Sequence, residues 1–558
     1  MSKIYEIADG FVDTLAELDP IVATYLGVPG YDHLMPDYSP EASERSDVAV
    51  RDVMNRIKAE SPDSVRERRC SETVQEEMTG SIDQHAAGLH YSGMNILHSP
   101  VQSLRQIFDL MPRSSTADWE NIASRMEGIA DSIATYQVTL DEGIGKGLTA
   151  SKRQTAGCIE QIETWIGKGD TDPFFNGIAK SADASDDVSE SLKRKLADAA
   201  TSANTAYSEF AAYLRDVYLP AARSSDAVGR EHYSLTSRSY NGIDLDFDET
   251  YDWGWEQLHW VQSEMRKAAD QIKPGSSIDE AVEILESDPK RAIDGEDAFR
   301  DWMQNLQDAT IDEMNGTHFD IADPVKNIEA LIAPPGGALA MYYTGPSEDF
   351  SRPGRTWYPT GGKTSFPLWR EVSIAYHEGV PGHHFQIATT MTLSDQLSRY
   401  QRLLAGTSGY VEGWALYAER LMHELGYLEN PDYYMGMLDA QALRSVRVII
   451  DIGMHLEKRI PEDSEYHPGE VWTPDLALEF MRDRVHFPPE FVASEIDRYL
   501  GIPGQAISYK VGERVWLESR QTARAAQGTS FNLKNWHNRA LELGPMGLAQ
   551  MQREMSRM

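Results

Sequence analysis

Apolar residues recur every three or four positions along most of this chain, and this spacing predicts a mainly α-helical protein. Residues 118–145 and 151–167 follow the pattern, which gathers apolar side chains on one face of a helix. A longer stripe runs through 192–217 and stops at Pro220, a residue that ends helices. The preceding stretch, 169–191, is rich in Gly, Asp, Ser and Ala and predicts a surface loop.

The pattern changes between residues 317 and 345. Ile328, Leu331, Ile332 and the segment 338–343 are apolar or aromatic and are interrupted by Pro and Gly. Together with 355–358 they predict a small antiparallel sheet. The sequence shows no internal repeat and no interdomain linker. We therefore expect one domain over 1–558, with a helical N-terminal lobe (about 1–228) and a catalytic lobe (about 229–558).

Metal-binding chemistry is concentrated just after the predicted sheet. His377, Glu378, His383 and His384 fall within eight residues. Imidazole nitrogens are good zinc ligands, and a neighbouring carboxylate can act as a general base. The nearest mechanistic pattern is His-Glu-x-x-His on a helix, where both histidines share one face.

The spacing departs from that pattern, because the later histidines lie six and seven positions after His377 rather than four. On a straight helix six residues turn the side chain by about 600°, and seven separate the Cα atoms by about 10.5 Å. Pro381 breaks a helix, and the nearby Gly379 and Gly382 tolerate an irregular backbone. We predict a helix interrupted by a two-residue bulge that returns His383 to the side of His377. His384 is the alternative ligand.

A zinc site with an open position needs a third protein ligand, and Glu412 is the best candidate. It lies in the first turn of a predicted helix that begins near Ser408 and ends near Gly426. The helix dipole alone also favours a carboxylate there.

Four charged or titratable residues interrupt an otherwise apolar helix over 443–455. Arg444, Arg447, Asp451 and His455 lie on one side of it, and burying such groups requires partners. They form either an ion-paired structural face or part of the site. In the second case Asp451 or His455 orients a zinc ligand, and an arginine binds a substrate carboxylate.

Tyr509 follows a Pro-Gly-Gln turn at 503–505. Its phenol is a candidate for stabilising the oxyanion of a transition state. The alternative is a buried tyrosine whose hydroxyl donates to a carbonyl.

Composition restricts the partners. The chain has 88 acidic and 52 basic residues, a net charge of −36, which argues against nucleic acid and anionic membranes. The two cysteines, Cys70 and Cys158, form no disulfide framework and fit a reducing compartment. The N-terminal residues carry acids where a signal peptide needs an apolar core, and no apolar run reaches the roughly 18 residues of a membrane span. We expect a soluble, cytoplasmic protein, with the oligomeric state open.

The motifs together resemble one family. His-Glu-x-x-Pro-Gly-His-His at 377–384 and Glu-Gly-Trp-Ala-Leu-Tyr-Ala-Glu at 412–419 look like the bacterial "domain of unknown function 885" family, with similarity from 18–20 to 503–512. That family is similar in fold to thermostable zinc carboxypeptidases, helical metallopeptidases with a His-Glu-x-Gly-His helix and a downstream glutamate ligand. The resemblance implies a two-lobed, neurolysin-like metallopeptidase fold with a small sheet beside the metal helix. It favours His383 over His384 and supports Glu412.

We therefore expect zinc-dependent hydrolysis of a peptide or small amide, with one Zn²⁺ per chain held by His377, His383 and Glu412. Glu378 is the expected general base, Tyr509 supports the oxyanion, and Arg444 or Arg447 binds substrate. The resemblance implies a carboxypeptidase or other exopeptidase. The alternatives are a zinc hydrolase of a non-peptide amide conjugate and a non-catalytic helical binding protein that retains the motif without metal.

Overall fold

Helices account for 68% of the chain in the computed structural model, which describes residues 2–169, 172–185, 188–333 and 341–558. The prediction of a mainly α protein is confirmed. The chain divides into two units, Met1–Val228 with Asp497–Ile502, and Gly229–Ile496 with Pro503–Met558. That the whole chain is one domain stays a prediction.

The first unit is all helical in its described residues. Its helices are α1 Lys3–Leu18, α2 Pro20–Leu26, α3 Pro40–Ala59, α4 Val65–Ala86, α5 Leu89–Ser92, α6 Pro100–Leu110, α7 Thr116–Lys146, α8 Lys152–Trp165, α9 Phe174–Ser181, α10 Glu190–Tyr213 and α11 Leu219–Ala221.

One helix of this unit lies where the sequence predicts a loop. α9 falls inside 169–191, of which 170–171 and 186–187 lie outside the described residues. Phe175 of α9 is fully buried and stacks on Tyr207 of α10, with ring centroids 5.7 Å apart. The loop prediction is therefore wrong for α9, because a few apolar residues anchor this short helix to the core despite the polar composition around it.

The second unit carries the remaining helices and every described strand. Its helices are α12 Gly229–Asn241, α13 Phe247–Ile272, α14 Ile278–Ser287, α15 Glu296–Met314, α16 Leu368–Glu378, α17 His383–Thr392, α18 Arg399–Leu403, α19 Ser408–Glu424, α20 Pro431–His455, α21 Pro474–Arg482, α22 Pro489–Gly501 (which ends in the first unit), α23 Ser508–Gln527, α24 Leu533–Leu541 and α25 Leu548–Met555. Its strands are β1 Ala292–Asp294, β2 Ile328–Ile332, β3 Tyr342–Thr344, β4 Gly354–Tyr358 and β5 Ser365–Pro367.

The strands form one three-stranded sheet, in the order β2-β4-β3, and one two-stranded sheet, β1-β5. β3 pairs with β4 in antiparallel fashion, but β2 pairs with β4 in parallel, with Ile328 opposite Gly354. The prediction of an antiparallel sheet is wrong for β2. In the chain β3 lies between β2 and β4, but in the sheet β3 pairs with one edge of β4 and β2 pairs in parallel with the opposite edge. Residues 338–340, part of that prediction, lie outside the described residues.

Three helices of the second unit, α19, α20 and α23, cross their neighbours at glycine residues. A Cβ atom on Gly512 of α23 would lie 2.1 Å from the carbonyl oxygen of Gly409 and 2.5 Å from Cα of Gly413, both on α19. A Cβ on Gly436 of α20 would lie 1.9 Å from the carbonyl oxygen of Trp369 on α16. The backbones are therefore in direct contact, and residues near these crossings can meet around α16.

Among the described helices, none combines the length and apolar composition that crossing a lipid bilayer requires.

Candidate metal centre

The helix with the His-Glu motif is interrupted between Glu378, where α16 ends, and His383, where α17 begins. The interruption spans 379–382 and is therefore wider than the predicted two-residue bulge. A Cβ on Gly382 would lie 1.9 Å from the carbonyl oxygen of His377. Glycine is required at this close approach, which turns the chain back and places His383 beside His377, with ring centroids 4.7 Å apart.

Two polar side chains from neighbouring helices hold the interruption in place. The Gln307 amide of α15 donates to the carbonyl of Ala375 at 2.7 Å and accepts from the amide of Val380 at 3.0 Å. On the other side, the indole N–H of Trp414 donates to the carbonyl of Pro381 at 2.8 Å. These contacts satisfy backbone groups freed by the break. Sequence reasoning missed both roles, and only the tryptophan's place in the 412–419 motif hinted at one.

His377, His383 and Glu412 converge, each offering one ligand atom, and these atoms lie within 4.8 Å of one another. Oε2 of Glu412 is 3.4 Å from Nε2 of His377 and 3.3 Å from Nε2 of His383. Ligands about 2.0–2.1 Å from a tetrahedral zinc ion are about 3.3–3.4 Å from each other. Oε2 of Glu412 is also buried without a hydrogen-bond partner. The donor set and this oxygen therefore fit a tetrahedral divalent cation with three protein ligands and one open coordination position.

The charges of these side chains favour the same arrangement. Burial by itself lowers the pKa of His377, but Glu412 and Glu419 outweigh it and raise this pKa to about 10. Burial raises the pKa of Glu412, yet His383 and His377 hold it well below its usual range. Burial raises the pKa of Glu378, opposed by the same two histidines. A positive charge at the cluster is therefore favourable.

Glu419 contacts Nδ1 of His377, the ring nitrogen that does not face Glu412. Its Oε1 lies 2.8 Å from Nδ1 of His377, and its Oε2 accepts a hydrogen bond from the hydroxyl of Ser373. A buried carboxylate at Nδ1 keeps a proton there, so Nε2, on the side of Glu412, is the nitrogen left to bind a cation. Glu419 lies seven residues after Glu412, and therefore on the same helix face, but the sequence analysis gave it no role.

Asp451 and His455 were expected either in an ion-paired structural face or beside a zinc ligand, and the structure places them in a network with Tyr233 and Gly504. Oδ2 of Asp451 accepts from the hydroxyl of Tyr233 at 2.7 Å and from the amide of Gly504 at 3.0 Å. Nε2 of His455 is 3.7 Å from Oδ1 of Asp451. Asp451 thus ties α12 and the turn before α23 to α20, while Glu419 contacts His377.

His384 points away from the cluster. Its Nε2 lies 2.7 Å from the carbonyl oxygen of Val325, and its Nδ1 lies 3.0 Å from the hydroxyl of Tyr343 on β3. A carbonyl can only accept, so Nε2 carries the proton and Nδ1 accepts from Tyr343. Burial lowers the pKa of His384 to about 4. Both ring nitrogens are engaged, and the cluster contains His383 instead.

The two arginines of α20 have different surroundings. Arg447 is buried and ion-paired with Glu495, and its guanidinium lies 4.6 Å from the ring centre of Tyr509. Arg444 lies 5.5 Å from the same ring and donates weakly to the carbonyl of Ala440. In the part of the chain that the structure describes, no carboxylate lies within ion-pair distance of Arg444, whose Nε is buried without a hydrogen-bond partner.

Tyr509 stacks beside the cluster, with its ring centre 6.3 Å from that of His377 and an angle of 20° between the ring planes. Arg444 is close enough to lower the pKa of Glu378, against the larger effect of burial. The structure thus brings together His377, Glu378, His383, Glu412, Arg444 and Tyr509. A tyrosine, an arginine without a carboxylate partner among the described residues and a general-base candidate lie near one candidate metal cluster.

The family model of DUF885, a bacterial protein of unknown function, matches residues 20–555. The chain belongs to the DUF885 family. Among curated proteins, none matches this DUF885 chain.

Two solved structures share the fold of this DUF885 protein. One, from Colwellia psychrerythraea, is described as a "putative lipoprotein"; it has a TM-score of 0.84 and 21% identity over 99% of this chain and 98% of that one. The other, a "putative lipoprotein of unknown function" from Shewanella oneidensis, has a TM-score of 0.76 and 18% identity over 100% of both chains. These descriptions contradict the cytoplasmic location that we expected, since a lipoprotein is held at a membrane by its lipid. Low cysteine content and an acidic surface are not diagnostic of a compartment.

Proposed function

We propose that this DUF885 protein is a zinc-dependent peptidase that acts on the C-terminal end of peptides. The observation that carries the proposal is the orphaned Oε2 of Glu412, placed between two imidazole nitrogens at the separations of a tetrahedral site. A buried carboxylate oxygen that has ion-pair neighbours but no hydrogen bond is costly unless a cation completes it.

His377, His383 and Glu412 would hold the zinc ion. When bound there, zinc supplies Lewis acidity that polarises a substrate carbonyl and makes an attacking water more acidic. Glu419 keeps Nε2 of His377 free to bind by holding the proton on Nδ1.

Glu378 directly follows His377 and shares its buried environment. In the proposed reaction its carboxylate takes a proton from the attacking water and gives that proton to the leaving amine when the C–N bond breaks. Burial raises its pKa, which makes it a stronger base than an exposed glutamate.

Tyr509 and Arg444 would recognise the substrate. The Tyr509 phenol would donate to the oxygen that becomes negative when water adds to the carbonyl. Arg444, without a carboxylate partner among the described residues, would bind the terminal carboxylate. Arg447 is already paired with Glu495 and is assigned a supporting role.

Metal analysis and turnover together test the proposal. We expect about one zinc per chain by mass spectrometry, and hydrolysis of peptides with a free C-terminus. Glu378→Gln should retain zinc and lose at least about a thousandfold in kcat, because the general base is removed. Glu283→Gln, at an exposed position of α14, is the charge-matched control.

Two results would point elsewhere. Zinc binding with hydrolysis of amide conjugates but not of peptides would favour the non-peptide hydrolase. A protein that takes up no zinc and hydrolyses none of these substrates would favour the non-catalytic binding protein. A Glu378→Gln variant with unchanged turnover would refute the general-base role of Glu378.

A further inference from the structure

Arginines gather around one cavity of the second unit, which has a volume of about 610 Å³. Among the described residues, its lining includes Arg420 of α19 and Arg514, Arg520 and Arg524 of α23. We call it the arginine cavity. The chain as a whole has 88 acidic and 52 basic residues, so this concentration of guanidinium groups runs against its composition and needs a local explanation.

Two cations at this cavity already have their anions. Nη1 and Nη2 of Arg514 lie 3.1 and 2.8 Å from the two carboxylate oxygens of Glu249, and its Nε donates to Glu518 at 2.9 Å. The ammonium of Lys510, which is buried, lies 2.6 Å from Oε2 of Glu513. Glu513 and Glu518, the two acids among the described lining residues, are therefore both engaged.

The other three arginines share one carboxylate, that of Glu424. Nη1 of Arg520 lies 2.8 Å from Oε2 of Glu424, and Nη2 lies 3.0 Å from its Oε1. Nε of Arg420 is 3.9 Å from the same Oε1. Arg524, four residues after Arg520 on α23, has no carboxylate within ion-pair distance among the described residues. Because like charges at this spacing repel, the excess positive charge at Arg420 and Arg524 is unfavourable unless an anion joins it.

Aromatic rings hold these three guanidinium groups in place. The distances from guanidinium to ring centre are 4.8 Å for Arg420 and Trp260, 5.2 Å for Arg520 and Tyr417, and 5.8 Å for Arg524 and Phe531. Stacking on a ring engages the face of a guanidinium and leaves the N–H groups at its edge able to donate. Arg524 is exposed and the side chain of Arg420 is 28% exposed, so a ligand can reach both from solvent.

We propose that the arginine cavity binds a phosphate dianion, either inorganic phosphate or the phosphate group of a small ester, with Arg420 and Arg524 as its main contacts. The planar fork of a guanidinium matches two phosphate oxygens, and two arginines without a close carboxylate match two negative charges. Trp253 and Leu517 also line the cavity and would cover the organic part of an ester. The proposal uses no residue of the candidate metal centre, so it does not depend on the proposed peptidase activity.

Calorimetry near pH 8 tests the site in the full chain with three probes. Inorganic phosphate and phenyl phosphate carry two charges there, since the second pKa of a phosphate is about 6. Methyl phenyl phosphate has the same ring but one charge. We expect phenyl phosphate to bind at least about tenfold more tightly than methyl phenyl phosphate, because it can engage both arginines.

Arg420→Gln and Arg524→Gln should each weaken phenyl phosphate binding at least about tenfold, and the double variant should abolish it. Arg194→Gln is the charge-matched control and should change nothing. Arg194 lies at an exposed position of α10 and likewise has no carboxylate partner among the described residues. Thermal melts report whether the variants fold. If Arg420→Gln is unstable, Arg524→Gln, at the more exposed position, decides alone.

The two dianions distinguish the source of the phosphate. Equal affinities would identify inorganic phosphate as the ligand, and tighter binding of phenyl phosphate would identify an ester; both support the site. No binding of either dianion at millimolar concentration, or no preference for the second charge, would overturn the proposal. So would binding that survives the double variant, which would place the phosphate elsewhere, for example at the metal centre, or an equal loss in Arg194→Gln.

Discussion

Nδ1 of His377 lies 2.8 Å from Oε1 of Glu419, while Nε2 of the same ring lies 3.4 Å from Oε2 of Glu412. Two acids of α19, two turns apart, therefore contact opposite edges of one imidazole. One carboxylate belongs to the candidate ligand cluster and the other contacts the opposite ring nitrogen, Nδ1. α19 thus organises the centre as much as the interrupted helix does.

Weaker zinc binding is expected for Glu419→Gln. The neutral amide can still accept from Nδ1 but no longer increases the basicity of the ring, and losing such a partner typically lowers metal affinity about 10–100-fold. Competition with a chelator of known affinity measures this change.

Ser373→Ala is the control for that variant, because it removes the other contact of Glu419 and leaves the ion pair with His377 in place. It should change zinc affinity much less. Equal affinities of wild type and Glu419→Gln would show that Glu419 does not support the ligand.

His383→Ala and His384→Ala should separate metal binding from stability. His383→Ala removes a proposed ligand and should abolish stoichiometric zinc. His384→Ala should keep zinc but destabilise the protein by about 2–4 kcal/mol, because it opens a cavity and leaves Val325 and Tyr343 without their buried partner. Zinc per chain after dialysis and a denaturant titration measure the two effects. Loss of zinc from the His384 variant alone would reverse the ligand assignment.

The crossing of α19 and α23 should not tolerate a methyl group. Gly512→Ala places Cβ 2.1 Å from the carbonyl oxygen of Gly409, so the helices must separate, at a cost of about 1–3 kcal/mol. The shift should also move Tyr509, three residues earlier on α23, and lower kcat. Gly80→Ala, in an open position of helix α4, is the matched control and should be neutral or slightly stabilising. An unaffected Gly512→Ala would contradict the close approach.

Arg444→Gln should change substrate binding, whereas Arg447→Gln should change stability. The first should raise KM at least about tenfold for peptides with a free C-terminus and leave amidated peptides unaffected. The second breaks the buried ion pair between Arg447 and Glu495 and should destabilise the protein by about 3–5 kcal/mol. Steady-state kinetics on matched acid and amide peptides, with thermal melts, distinguish them. If both variants lost stability and neither changed KM, Arg444 would have no role in binding the substrate carboxylate.

Glu371→Gln should stabilise the protein in a pH-dependent way. The folded protein raises the pKa of this carboxyl from 4.5 to about 7, so folding favours its protonated form. Its contribution to stability is therefore lost as pH rises from the unfolded to the folded pKa. The glutamine variant should be more stable by about 3 kcal/mol near pH 8 and by less than about 1 kcal/mol near pH 5. A pH-independent difference between the two melting curves would contradict this.

Prediction from the sequence succeeded where chemistry and structure are local. The three residues of the cluster lie in two motifs whose residue types suit zinc, and Pro381 marked the helix break. Gln307, which holds that break, is 73 positions from Val380, and nothing in its surroundings in the chain predicts the contact. The parallel pairing of β2 with β4 was likewise missed, since strand direction depends on which edge the intervening β3 occupies.

The sequence by itself determined three things, through its hydrophobic periodicity, its Pro and Gly positions and the types of its titratable residues. The chain is mainly helical, the helix that carries His377 is broken near Pro381, and His377, His383 and Glu412 are candidate ligands. Tertiary structure alone decided that Glu419 rather than Asp451 contacts His377, that His384 turns to Val325, and that Arg447 is paired while Arg444 is not. The reason is physical. Helix geometry fixes only the direction in which a side chain leaves its own helix, whereas its partner depends on how closely other helices approach, here at glycines whose missing Cβ atoms let α19, α20 and α23 close around α16.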